Sequence, residues 1–199
     1  MPKGFQEHEM KIIKSKLIEQ GRSLFNTHGL QKTSIQDITK KVGIAAGSFY
    51  KFFHSKEELY FEILEIEESK IKEELLTLDL GRDPKEAIKN IILKMINTIE
   101  NTPILQHLYT ENTMEAIIRK LPPEKLAAHF NKDADFLTPL IQEWQKYGLT
   151  FTEPPEIVSS ILRSLVLLSF QKEKIGEKEY PETMQFFIET AVNGVLKEE

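Results

Sequence analysis

Apolar positions recur along most of the chain at spacings of three and four, the period of a helix that packs on one side. The first stripe is Ile13, Leu17, Leu24 and Phe25, in a helix predicted from about Gln6 to Asn26 and stopped by Gly29. Thr33 or Ser34 caps a short second helix through about Lys41, with Ile35, Ile38 and Val42 turned inward. Gly43 supplies a tight turn, and a third short helix is expected from about Ala45 to Phe52. Ser55 caps a longer fourth helix whose buried stripe is Leu59, Ile63 and Ile66; Ser55-x-x-Glu58 has the spacing of a capping box.

Gly81 is expected to close that helix, with Asp83 as cap and Pro84 at the first position of the next, through about Asn101. Its stripe is Ile88, Ile91, Ile92, Met95, Ile96 and Ile99. Pro103 starts a shorter segment carrying Leu105, Leu108 and Tyr109. Pro122 and Pro123 open a helix to about Tyr147, with a kink expected at Pro139 and an end at Gly148. Pro154 and Pro155 start another through about Ile175, and Pro181 starts the last. No strand pattern, internal repeat or low-complexity tract interrupts this series. The fold class is all-α, with about nine helices.

Composition adds exclusions. There is no cysteine, which removes disulfides, thiolate metal sites and cysteine nucleophiles and suits a reducing cytoplasm. Met1 to Lys16 is polar and lysine-rich, unlike a signal peptide, and the apolar run from Ile161 to Phe170 is short for a membrane span and contains Arg163. A soluble, cytoplasmic protein is expected. The net charge of −5 is unevenly placed: residues 1–56 hold 10 Lys+Arg against 4 Asp+Glu, and the remainder 16 against 27. A basic head on an acidic body is the electrostatic pattern of a nucleic-acid-binding segment.

Residues 34–52 have the outline of a helix-turn-helix, in which the first helix braces on the DNA backbone and the second presents its N-terminal side chains to the major groove. The outline alone also describes plain helical packing. The residues within it are more specific. Leu24-Phe25-Asn26-Thr27-His28-Gly29-Leu30, then Thr33-Ser34-Ile35-Gln36-Asp37-Ile38, then the run from Val42 through Gly47-Ser48-Phe49-Tyr50-Lys51-Phe52-Phe53 to Ser55-Lys56-Glu57-Glu58-Leu59 closely resemble the tetracycline-repressor (TetR) family. The resemblance covers about the first third of the chain. Two positions depart from the family pattern: Ala45 replaces the usual Ser or Thr cap of the recognition helix, at a cost of ~1 kcal/mol, and Thr39 stands where a small Ala is usual.

The resemblance implies an N-terminal three-helix DNA-binding domain, residues 1–56, joined by the fourth helix (about 55–80) to a helical ligand-binding and dimerisation domain, residues 57–199. Thr33 would cap the second helix and offer its hydroxyl to phosphate, as would Ser48 and Tyr50, with Lys56 meeting phosphate near a helix N-terminus. Gly47 would allow close approach to the sugar-phosphate chain. Gln36, Ala45, Ala46 and Lys51 are the candidates for base contacts, Lys51 equally for phosphate. Tyr50 also reads as a core aromatic, His54 as either a phosphate contact or a surface residue. Phe49, Phe52 and Phe53 read as core. Lys11, Lys14, Lys16 and Arg22 read as a solvated helix face that could flank DNA.

For the body, the stripes of the last two long helices suit the family's two-fold four-helix bundle, through Ile157, Ile161, Leu165, Leu168, Met184, Phe187, Ile188, Ala191 and Val195; packing within one chain is the alternative. The resemblance also implies a small-molecule effector pocket among the central helices. Met95, Ile99, Leu108, Tyr109 and Met114 are candidate lining residues, as are His129, Phe130, Phe136 and Trp144. Plain core packing is the alternative for each. His107 with Glu111 and His129 with Asp133 have i, i+4 spacing, but two ligands do not make a metal site. There is no nucleophile-elbow, phosphate-loop or His-Glu-x-x-His motif. No cofactor and no catalysis are expected. The expected function is a TetR-type regulator, a repressor released from a palindromic DNA operator by a small, largely apolar effector. The alternative is a regulator-like helical protein acting through a protein partner, or through ligand binding without DNA binding.

Overall fold

A computed structural model describes residues 7–76, 83–110, 112–146 and 148–197. Helices α1 (Glu7–Lys32) and α2 (Ile35–Val42) are followed by a 3-10 helix, Ala46–Lys51, and then by α3 (Lys56–Leu76), α4 (Pro84–Glu100), α5 (Pro103–Thr110) and α6 (Thr113–Lys120). Then come α7 (Pro123–Lys146), α8 (Pro155–Ser169), the short α9 (Lys172–Ile175) and α10 (Tyr180–Val195). The all-α reading holds, with one isolated antiparallel bridge between Phe151 and Leu196. None of the described helices is long and apolar enough to cross a membrane.

Most expected punctuation is found. Gly29 (φ 71°) breaks α1, although one further turn follows it to Lys32. Gly43 (φ 81°, ψ 32°) ends α2 in the left-handed region. Asp83 accepts the Glu86 amide at the start of α4, and Gly148 (φ 93°) follows α7. The expected stop at Gly81 lies outside the described residues. Three expectations change. The third helix is a 3-10 helix, the segment after Pro103 is followed by a separate α6, and the helix from Pro155 ends at Ser169 rather than near Ile175.

The chain divides into two compact units, Met1–Glu68 with Thr102–Pro123 and Ser69–Asn101 with Glu124–Glu199. The region around α5 and α6 therefore groups with the N-terminal helices. In the first unit, Leu17, Phe25, Leu30, Ile38, Phe49, Leu59 and Ile63 are fully buried, each contributing about 1.5–3 kcal/mol of hydrophobic burial. Gly21 lets α1 and α3 approach: a Cβ there would stand 2.9 Å from Leu59 Cδ2 and 3.2 Å from Ile63 Cδ1. Tyr60 packs edge-on to Phe25 and donates its hydroxyl to the Ile104 carbonyl at 2.5 Å, tying α3 to α5.

In the second unit α4, α8 and α10 pack on one another. Tyr180 at the start of α10 donates to Glu100 at the end of α4 (2.5 Å); burial first, and then this bond, push its pKa well above the ordinary value. The end of α10 is fastened to the loop before α8. The Thr152 amide donates to the Val195 carbonyl (2.8 Å), and the Lys197 amide to that of Thr150 (2.9 Å).

Candidate nucleic-acid interface

The helix-turn-helix is positioned by the end of α1. Thr33 is 2% exposed, and its hydroxyl donates to the Gly29 carbonyl at 2.8 Å, with a longer contact to that of Leu24. Thr33 thus satisfies the broken end of α1. The residue that caps α2 is Ser34, which corrects the assignment of that role to Thr33. Ser34 Oγ accepts the Asp37 amide (3.1 Å), and Asp37 Oδ2 accepts both the Ser34 amide (3.2 Å) and its hydroxyl (2.5 Å). This reciprocal box fixes the first turn of α2. The Ser34 hydroxyl, and then its amide, hold the Asp37 pKa below the ordinary carboxylate value, helped by the charge of Lys40.

Thr39, bulkier than the usual alanine, is accommodated because its hydroxyl turns back to the carbonyls of Ile35 (2.9 Å) and Gln36 (3.2 Å). At the turn, the amides of Gly43 and Ile44 both donate to the Thr39 carbonyl. Ala45 then offers no side-chain cap, and the following segment winds as a 3-10 helix. Phe49 and Phe53 anchor this segment in the core, and Lys14 Nζ stands 5.4 Å from the Phe53 ring centroid.

What remains outward is the face the sequence proposed for DNA. Gln36, Ala45, Gly47, Lys51 and His54 are exposed, and Ala46 and Ser48 are half-buried. Tyr50 is 60% exposed and stands edge-on to Phe49, so it is not a core aromatic. Gly47 has no positive φ, and a Cβ on it would meet nothing within 4 Å. Nothing in the chain's own packing therefore requires glycine at this position.

Two assigned contacts have structural partners instead. Lys56 Nζ donates to the carbonyls of Leu30 (2.7 Å) and Thr33 (2.9 Å), with Gln31 at 3.4 Å, clamping α3 onto the end of α1. Its placement in the first turn of a helix, where the dipole disfavours a cation, is the one signal in sequence that it binds elsewhere. His54 projects into solvent, and Glu58 Oε2 accepts both its amide (2.7 Å) and a contact from Nδ1 (2.8 Å). The Ser55 hydroxyl accepts the Glu58 amide, so the cap is present, but the carboxylate returns to His54 rather than to Ser55. Lys14 and Arg22 are paired with Glu62 and Glu67 of α3, both at 2.8 Å, and are not a free basic face.

The effector-pocket candidates fall in two groups. Leu108 is buried and Met114 half-buried in the first unit; Met95, Ile99, His129 and Trp144 are buried in the second. The side chains of Tyr109, Phe130 and Phe136 lie outside the described residues, as do Glu111 and the Asp133 side chain of the two i, i+4 pairs. No group of three or more metal-ligating side chains occurs among the described residues.

The dimer-face assignment needs correction. Leu165, Met184, Ile188 and Val195 are at most 5% exposed and pack inside their own chain. A stripe at i, i+4 on α10 (Tyr180, Met184, Ile188, Val192) is consumed by packing on α4 and α8. The apolar side chains left outward on these two helices are Ile157 and Leu167 on α8 and Phe186 and Phe187 on α10. Ile161, Leu168 and Ala191 are half-buried between the two sets.

A capped bracing helix, a glycine turn and a second short helix with an exposed polar face define an all-α protein with an N-terminal helix-turn-helix. Residues 17–63 match the model of bacterial regulatory proteins of the tetR family. An HTH-type transcriptional regulator of Bacillus subtilis, YxaF, is 35% identical over 92 residues, 45% of this chain and 48% of YxaF. The chain spans about half the length of the curated relatives it matches. The fold extends further. A tetR-family regulator from Mesorhizobium loti superposes with a TM-score of 0.70 over 94% of this chain and 98% of that one, at 16% identity. SmeT, the repressor of a Stenotrophomonas maltophilia multidrug efflux pump, does so with a TM-score of 0.64 over 93% and 91%, at 18% identity. Over residues 17–63 the chain is thus similar to bacterial regulatory proteins of the tetR family, and its fold is that of solved structures from that family.

Proposed function

We propose that this chain is a cytoplasmic homodimeric repressor whose helix-turn-helix reads a palindromic DNA operator and is released by a small, largely apolar effector. The observation that carries the reading is the outward face of the 3-10 helix. Tyr50 is held exposed by a buried Phe49, beside a Gly47 that internal packing does not require. On this reading Gln36, Ala45, Ala46 and Lys51 meet base edges, and Ser48 and Tyr50 meet phosphates. Thr33 and Lys56 position the motif through the backbone of α1.

The outward Ile157, Leu167, Phe186 and Phe187 favour a second copy as the cover for α8 and α10. A two-fold pair would set two heads about one DNA turn apart. SmeT, which shares the fold, is a repressor, and that favours repression here. An effector must bind the two body conformations with different affinity, since only that difference can move the heads.

The test is fluorescence anisotropy with duplexes from the DNA flanking the protein's own gene, titrated against salt, for the wild type and Tyr50→Phe/Lys51→Ala. Tight, sequence-selective, salt-sensitive binding that the double variant loses by at least tenfold supports the reading. Selective binding unchanged in the variant overturns the contact assignment. Absence of binding to any duplex favours a protein that acts through a partner or a ligand alone.

A further inference from the structure

Between α1 and α2 the first unit carries an open groove of about 620 Å³ that none of the assigned contacts uses. Leu24 and Thr33 lie along it, and its charged rim is His28 and Lys32 from α1 with Asp37, Lys40 and Lys41 from α2. Three lysines therefore face one carboxylate. That carboxylate is already committed, because Asp37 Oδ2 closes the Ser34 cap. Among the described residues, Lys32, Lys40 and Lys41 form no ion pair within 4 Å, whereas Lys14 and Arg22 elsewhere on α1 are matched with glutamates of α3.

Helix-dipole complementarity accounts for lysines in the last turns of α1 and α2. It does not account for their convergence on one concave surface whose one acidic side chain, Asp37, is held by the Ser34 cap. The groove is also continuous with the candidate interface. Gln36 and Lys40 are four apart on α2, so they share a helix face, and Ser34 begins that same helix.

We infer that the groove lined by His28, Lys32, Lys40 and Lys41 is a second phosphate-binding site, taking the DNA backbone that flanks the stretch read by the 3-10 helix. The inference rests on the DNA-binding reading above. It adds a set of contacts that carry affinity and salt dependence without base preference.

The experiment uses the full-length protein and a duplex selected by it from a random-sequence pool. Affinity is measured against KCl for the wild type and for Lys32→Gln/Lys40→Gln/Lys41→Gln, on the selected duplex and on one trimmed to its selected core. Each phosphate contact contributes about 0.9 to the slope of log K against log salt. The triple variant is expected to lower that slope by at least about 2 on the long duplex, to keep the same sequence preference, and to match the wild type on the trimmed one. Circular dichroism checks its fold, and Lys40→Glu/Lys41→Glu, which reverses the charge at two positions, is expected to weaken binding further. An unchanged slope on the long duplex, with selective wild-type binding intact, overturns the groove and leaves the DNA-binding reading standing. A slope difference that persists on the trimmed duplex also overturns the flanking placement. Failure of the pool to yield any bound duplex overturns both.

Discussion

Replacing Lys56 by methionine separates a structural lysine from a DNA contact. The change keeps the apolar stem and removes an ammonium that donates to Leu30 and Thr33 at 2.7 and 2.9 Å, with a weaker third contact to Gln31. A hydrogen bond from a charged group contributes about 1.5–3 kcal/mol where it is shielded from water. Lys56 is half-buried, so water reaches part of the freed carbonyl edge and the two good bonds together are taken at about that value. Against this, removing a cation from the first turn of α3 returns about 0.3–1 kcal/mol from the helix dipole. The net loss is about 0.5–2.7 kcal/mol, equivalent to a fall in Tm of roughly 1–11 °C for a chain of this length. The assay is thermal unfolding by circular dichroism without DNA, with Lys56→Arg alongside. A Tm for Lys56→Met equal to or above that of the wild type, together with tenfold or greater loss of DNA affinity, would refute the clamp and return Lys56 to the phosphate backbone.

Three further outcomes follow from the geometry. Gly47→Ala meets no atom within 4 Å and is expected to leave Tm unchanged or slightly raised while weakening DNA binding at least tenfold; full affinity in anisotropy would show that no backbone approaches that position. Phe187→Asp, on the outward face of α10, is expected to convert a dimer to a folded monomer in sedimentation velocity, and a persisting dimer would place the interface elsewhere. Because the Asp37 pKa is lowered on folding, its contribution is complete above the ordinary value of 3.8 and is lost as pH falls through the lowered value. Asp37→Asn should remove that acid-side dependence, seen as a flatter profile of Tm as pH falls below the ordinary value of 3.8; an unchanged profile would show that the cap is not coupled to folding.

Helix periodicity and punctuation were legible wherever one residue type has one physical use. Gly43 needed a positive φ, Asp83 and Pro84 needed a helix start, and Ser55 needed the Glu58 amide. The motif of the head was legible for the same reason, since its glycine, its aromatic anchors and its caps sit at fixed offsets. Long-range partners were not legible. Nothing in the local sequence shows that the Lys56 ammonium reaches carbonyls more than twenty residues earlier, or that Thr33 bonds back to Gly29 while Ser34 caps forward.

The body failed differently. Periodicity shows that a helix side is apolar but not what covers it, so Met184 and Ile188, buried within the chain, and Phe187, left outside, looked alike. The break before α6 was also missed, because Asn112 caps it without a side-chain hydrogen bond. The groove between α1 and α2 went unseen because its lysines come from two helices and follow no single spacing.

The central claim is that two copies of this head read two half-sites on one duplex. Hydroxyl-radical footprinting of the selected duplex, with the wild-type protein at saturating concentration, tests it most directly. The account expects two equivalent protected segments related by two-fold symmetry, with centres about 10–10.5 base pairs or a multiple of that apart. A single protected segment, or even protection with no symmetry along the duplex, would contradict it.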